Sequence, residues 1–243
     1  MHATTPTDSS APRANFVLVA LLGVGLALLA LALPRLLGAM SARSARPVLV
    51  EIRNERTVST ERLDEAASAL RDSLRWSGTP ANAFSDLGLL ELLQLPPRGS
   101  SGARSPSSLP GIIEVQEMGL AGSPASANGW ARLAYARYLG EGLAPATRDA
   151  LEMSLRSGGI DLPLLRFRLY LLLSDWDFSA AESVPAVRDQ VQKLTRYGKI
   201  GYDELVELSL IAPRGPLIPA VLAETPEKRA YFQRRVERRQ GAR

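Results

Sequence analysis

The sequence predicts an all-α protein, a single N-terminal transmembrane helix followed by a domain of helical hairpins, and three observations carry that expectation. First, of the 18 residues from Phe16 to Leu33, 16 are apolar, two are Gly23 and Gly25, and none is charged. Second, from Leu63 onward apolar residues recur at the three/four spacing of amphipathic helices. Third, Gly and Pro clusters punctuate those periodic stretches at helix-length intervals.

A helix of 18 residues covers ~27 Å, close to the hydrocarbon thickness of a bilayer. Leu36 and Leu37 extend it past Pro34, giving a polar tail at 1–14 and a transmembrane helix at 15–38. A cleavable signal peptide is the main rival. Its apolar region usually runs about 7–15 residues before a small-x-small site, whereas here the run is longer and the nearest such site, Ala39-Met40-Ser41, lies beyond Pro34 and Arg35. An uncleaved anchor is the expectation, and a soluble core helix is seldom apolar all round for so long. Arg13 alone precedes the span, while Arg35, Arg43, Arg46, Arg53 and Arg56 follow it. The positive-inside rule therefore leans toward a cytoplasmic C-terminal part, although long domains are translocated largely regardless of such bias. Ala20, Gly23, Ala27 and Ala30 share one face of the span and form a candidate packing stripe for another membrane helix.

Residues 39–57 read as a juxtamembrane linker containing Val48-Leu49-Val50. At 58–95 a first helical hairpin is predicted. Ser59 is its N-cap candidate, and Leu63, Ala66, Ala67, Leu70 and Leu74 mark its first helix. Phe84 to Leu93 marks the second, stopped by Pro96-Pro97. Residues 96–128 are rich in Pro, Gly and Ser and read as a loop region in which Ile112, Ile113 and Val115 resume packing.

From 129 to 225 the helical pattern returns. Trp130, Leu133, Ala134 and Tyr138 mark one helix; Ala150, Met153 and Leu155 mark another, ending at Gly158-Gly159. Leu164 to Leu172 and Val184 to Leu194 mark two more, then Tyr202 to Leu210 and a short Leu217–Ala223 helix. The starts at Gly129-Trp130 and Pro163-Leu164 stand 34 residues apart, the tetratricopeptide period, and Ala146 and Ala180 fit a later small position of that repeat. Arg168 falls where the repeat expects a small residue. An irregular bundle of hairpins and a true repeat array both remain open. At 226–243 Pro226 opens a basic C-terminal helix.

Composition excludes several chemistries. With no Cys and a single His, His2, beside the initiator Met, there is no disulfide, thiolate nucleophile, catalytic triad or multi-His metal site to expect. Catalytic, cofactor and metal residues are therefore predicted as none. The carboxylate pairs Glu114/Glu117, Asp175/Asp177 and Asp203/Glu204 read as solvated helix ends, because adjacency in sequence does not put two carboxyl groups in one cleft. Trp76, Trp130 and Trp176 read as core residues at helix crossings. The net charge of +4 divides as +1 over residues 1–40, −2 over 41–225 and +5 over 226–243. Lys228, Arg229, Arg234, Arg235, Arg238 and Arg239 are thus candidate contacts for an anionic surface, against the simpler reading of a solvated terminal helix interrupted by Glu227 and Glu237.

One anchor, then SALRDSLRW, FSDLGLLEL, a variable loop, SPASANGWARLAYARYL, ALEMSLRSGGIDLPLLRFRLYLLLSDW and a helical tail follow in order. This arrangement resembles the VpsP-type exopolysaccharide-biosynthesis membrane proteins of bacteria across most of residues 15–235. It departs from them where an Arg-Pro is expected before the Trp helix, since Ser123-Pro124 and Gly129 stand there. The resemblance implies a single-pass protein of the bacterial inner membrane that helps make or export a surface polysaccharide as a non-catalytic assembly component. Its partners would be other envelope-assembly proteins, with the bilayer contacted through residues 15–38, no cofactor and no nucleic acid. Two other readings stand beside it: a membrane-bound, carboxylate-dependent enzyme on glycans or lipid-linked sugars, and a lipid or nucleic-acid tether working through the Arg-rich tail.

Overall fold

The computed structural model describes residues 11–54, 56–77, 81–95, 108–174 and 183–241, and these form eleven α-helices and no strand. In order they are α1 (Ala11–Arg53), α2 (Thr60–Ser77), α3 (Ala81–Gln94), α4 (Ser108–Gly122), α5 (Ala127–Glu141) and α6 (Pro145–Arg156). Then follow α7 (Leu162–Ser174), α8 (Ser183–Thr195), α9 (Gly198–Ile211), α10 (Leu217–Leu222) and α11 (Pro226–Gly241). The chain divides within α3 into two compact units, Met1–Leu90 and Glu91–Arg243.

In the first unit α1 is one unbroken helix of 43 residues, although Pro34 and Pro47 lie inside it. Each proline leaves one carbonyl, of Ala30 or Arg43, without its i+4 donor. The linker expected over 39–57 is therefore helical through Arg53. The reason is tertiary: Gly38, Ala45, Val48 and Leu49 form a buried stripe on α1, and α2 packs along it through Leu63, Ala66, Ala67, Leu70 and Ser73. Small residues on both sides let the two backbones approach closely. The hairpin expected between α2 and α3 is instead made between α1 and α2. At its connected end the Arg62 guanidinium holds the Glu51 carboxylate through two bonds of 2.7 and 2.9 Å. Glu61 in the first turn of α2 accepts hydrogen bonds from a backbone N–H and from Ser59, which together hold its carboxyl below the usual range.

The second unit begins with Leu92 of α3, Ile112 of α4 and Ala136 of α5, which share a small core. Residues 108–122, expected within a loop region, are helical because Leu109, Ile112, Gln116 and Leu120 give α4 a buried face against α5. Successive helices then turn back on one another: α5 on α6, α7 on α8, α8 on α9. The first helices of these pairs also meet, α5 with α7 and α7 with α9, while α10 and α11 close the row on α8 and α9. The largest core cluster runs from Leu133 through Leu169, Leu173, Val191 and Leu205 to Phe232. Tyr135 and Phe167 cross edge to face at 5.1 Å between α5 and α7. At Gly201 an added Cβ would lie 1.9 Å from the Leu194 carbonyl oxygen, so only glycine permits this approach of α9 to α8.

Arg168 is fully buried in the middle of α7. Its Nε donates to Ser154 Oγ at 2.9 Å, Nη1 to the Gly159 carbonyl at 3.0 Å, and Nη2 to the carbonyls of Gly158, at 2.5 Å, and Ser154. Ser154 Oγ in turn donates to the Ala127 carbonyl at 2.7 Å. Gly158 and Gly159 both have positive φ, 80° and 74°, a conformation that turns their carbonyls toward the guanidinium. The end of α6 would otherwise leave such carbonyls orphaned, and its negative dipole end favours a cation. Burial lowers the Arg168 pKa, opposed by Asp161 and Asp189, yet a guanidinium stays charged in proteins. Replacing Arg168 by Met keeps much of the packing but strands these buried acceptors, each worth about 1–3 kcal/mol. Arg168→Met is expected to lower stability by about 3–5 kcal/mol, and Arg168→Lys by less, read as falls in the urea midpoint of the detergent-solubilised chain. An unchanged midpoint for Arg168→Met would show that the network contributes nothing net.

Candidate functional site

Leu21 to Leu33 of α1 stand exposed along their whole length, and only 6% of the most apolar 18-residue window is buried inside the chain. That distinguishes α1 from the core helix of a soluble protein. It is long and apolar enough to cross a membrane. Gly23, Ala27 and Ala30 of the small-residue stripe are exposed, and a Cβ at Gly23 or Gly25 would meet nothing within 4 Å. The Ala20 side chain lies outside the described residues.

The carboxylates singled out in the sequence do not face one another across a cleft. Glu117 accepts from Arg137 at 2.7 Å, and the same guanidinium donates to the Ala146 carbonyl at 2.9 Å, tying α4, α5 and α6 together. Glu204 and Glu207 flank Arg166 of α7 at 2.9 and 3.0 Å. Asp203 accepts from Arg235 of α11. Glu114 is exposed on α4. Asp175, Asp177, Trp176 and Ala180 lie outside the described residues, as do His2 and the loop 96–107. Among the described residues no group of three His, Cys, Asp or Glu is placed to hold a metal ion.

Two of the tryptophans separate. Trp130 is half-buried in α5, its indole N–H donating to the Pro124 carbonyl at 2.8 Å. Trp76, expected in the core, is 53% exposed on the last turn of α2. The tail cations separate too. Phe232 is buried and Tyr231 stacks edge to face on Tyr202 at 4.7 Å, so one side of α11 is part of the core. Burial, and then the neighbouring Tyr231, push the Tyr202 phenol up. Arg235 belongs to that packed side, its guanidinium bound to Asp203, which raises its pKa, and lying 5.8 Å from the Tyr231 ring. It is therefore a structural residue rather than a surface contact. Arg229, Arg234, Arg238 and Arg239 point to solvent, with Lys228 half-buried.

Between α9 and α11 an open groove of about 440 Å³ is lined by Lys199, Asp203, Glu207, Arg238 and Arg239 among others, its charges of both signs interleaved. Between α4 and α5 a second groove of about 400 Å³ is lined by Leu109, Pro110, Ile113 and Leu139. Ile160, in the turn before α7, and Ile200, in the first turn of α9, are 64% and 60% exposed, and Tyr197 donates its hydroxyl to the Ile160 carbonyl. Sequence reasoning missed these tips and the Arg168 network. Arg168, one of two arginines inside LLRFRLYLLLS, was the available signal for the latter.

No protein-family model matches this sequence. No curated protein is similar enough to count as a match.

The Asp203–Arg235 pair joins α9 to α11 with one partner half exposed, so its coupling is modest. A double-mutant cycle with Asp203→Asn and Arg235→Met is expected to give roughly 1 kcal/mol or less, shrinking at high salt. A coupling that grows with salt would contradict the ion-pair account.

Proposed function

We propose that this protein is a single-pass membrane scaffold, non-catalytic, whose helical-hairpin body holds other proteins of a bacterial envelope assembly. The observation that carries the reading is the exposed apolar length of α1, followed by a body built of stacked helix pairs. Helix pairs stacked in a row present extended surfaces suited to a peptide or partner helix. Tethering at a bilayer raises the local concentration of whatever binds there. Retention of the anchor is supported by the site where cleavage would fall. Ala39-Met40-Ser41 lies within continuous α1, beside the buried Gly38, with Ser41 Oγ donating to the Leu37 carbonyl at 3.1 Å.

The tetratricopeptide-like spacing supports a role in protein–protein contact. The resemblance to VpsP-type proteins supports an exopolysaccharide assembly in the inner membrane, and the charge flanking the span leans the body toward the cytoplasm. The arginines seated on Glu117, Asp203, Glu204 and Glu207 favour the scaffold over a carboxylate-dependent enzyme.

Deleting Phe16–Leu33 is expected to release the chain into the soluble fraction, and persistence in carbonate-washed membranes would remove the anchor. In a host lacking this gene, a chain with Glu114, Glu117, Asp175, Asp177, Asp203 and Glu204 changed to their amides is expected to restore surface polysaccharide, whereas the anchorless chain is not. Loss of polysaccharide with a well-folded amide variant would overturn the non-catalytic reading.

A further inference from the structure

The register of the α1–α2 hairpin puts a depth scale on the first unit. Arg53 ends α1, Thr60 begins α2, and Arg62 grips Glu51. Both helices rise ~1.5 Å per residue, so each residue of α2 is level with the one equally far back along α1. Leu70 is then level with Arg43, Ser73 with Met40 and Trp76 with Leu37. The buried stripe agrees with this register, since among residues 21–53 of α1 and 60–76 of α2 the last buried toward that end are Gly38 and Ser73. The polar helix α2 therefore stops at Ser77, level with Leu36, where the uncovered apolar length of α1 begins. At that level the largest side chain of the hairpin, Trp76, is 53% exposed, with Arg35 and Arg75 also exposed. Arg75 carries Asp72 beside it at 3.3 Å.

We propose that the C-terminal end of α2 sits in the headgroup layer of the bilayer that α1 crosses, with the Trp76 indole at the boundary between headgroups and acyl chains. The inference rests on α1 being a membrane anchor. An indole has an apolar body and one N–H donor, and tryptophan collects at that boundary for this reason. Exposed arginines at the same level reach lipid phosphates while their stems cover apolar surface. The occupant is phospholipid because the site is continuous with the apolar length of α1 and has the mixed aromatic and cationic character of an interfacial belt. In this arrangement α2 fixes how deep α1 enters and sets its tilt.

The test uses the full chain in phosphatidylcholine/phosphatidylglycerol vesicles. Because the chain has no cysteine, Trp76→Cys and Leu28→Cys each carry a single nitroxide without further change, and Asp149→Cys on α6 serves as the water-exposed control. Power saturation with oxygen and with a water-soluble nickel chelate reads depth. The expected result is a Leu28 label deep in the hydrocarbon and a Trp76 label at headgroup depth, its nickel accessibility roughly twofold or more below that of Asp149. In the native protein with Trp130 and Trp176 changed to Phe, Trp76 emission is expected to be quenched most by lipid brominated near the headgroup. A Trp76 label as open to nickel as the Asp149 label, with the Leu28 label still deep, overturns this proposal and leaves the anchor standing. A Leu28 label open to water overturns the anchor itself, and with it the proposal when Trp76 is open too.

Discussion

A guanidinium removed from water has to find an acceptor for each of its N–H groups, and that requirement at Arg168 organises the second unit. Four acceptor contacts come from one place, the end of α6 and the two positive-φ glycines after it. Ser154 relays the network to the Ala127 carbonyl at the start of α5. A single side chain on α7 thereby sets the start of one hairpin, the end of the same hairpin and the register of the next. With α7 so placed, Phe167 reaches Tyr135, and Arg166 reaches Glu204 and Glu207 on α9. Asp203 on α9 then receives Arg235 from α11. A buried charge is a poor source of net stability compared with an apolar replacement of the same shape, and a strong source of specificity when its donors are satisfied in one arrangement alone. The network around Ser154, in which all three guanidinium nitrogens are bonded, is of the second kind.

The helices from α5 to α11 were legible because their ends are written chemically. Pro145, Gly158-Gly159, Pro163, Gly198, Pro213 and Pro226 punctuate apolar runs at three/four spacing, and the helices begin and end within a few residues of them. What the sequence concealed lies where a neighbour decides. Residues 39–53 carry Pro47, serines and arginines, a composition poor in helical signal, and they are helical because α2 covers their small-residue stripe. Residues 108–122 start inside a Ser/Pro-rich stretch and are helical because α5 covers Leu109 and Ile112. The repeat spacing marked Arg168 only as a misfit. Its compensation is made by carbonyls, which carry no residue signature. Trp76 was misread for a related reason. A large aromatic near a helix crossing fills the core only while the partner helix still faces it with packing surface, and burial on the α1–α2 seam ends at Ser73 and Gly38.

The candidate surfaces follow the same division between committed and uncommitted groups. Arg137, Arg166 and Arg235 each bind a carboxylate on another helix, so the charges nearest the core are used in assembly. Sequence could count the cations of α11 but not assign them, because Arg235 and Arg239 stand one turn apart on one face, and the position of Asp203 on α9 decides which is engaged.

In the first unit one helix carries two patterns. From Leu21 to Leu33 its side chains are apolar or glycine on every side and exposed, while from Gly38 its buried residues occupy one stripe. An all-round apolar helix has no preferred partner face in lipid beyond small residues, whereas a striped helix in water has one face that must be covered. The pattern changes at Gly38, and α2 is as long as the striped part requires. Were α2 longer, its charged residues would lie along the all-round apolar length; were it shorter, Ala45 or Gly38 would lie uncovered. The matched ends of the stripe and of α2 tie the length of a polar helix to the place where the apolar length of α1 begins.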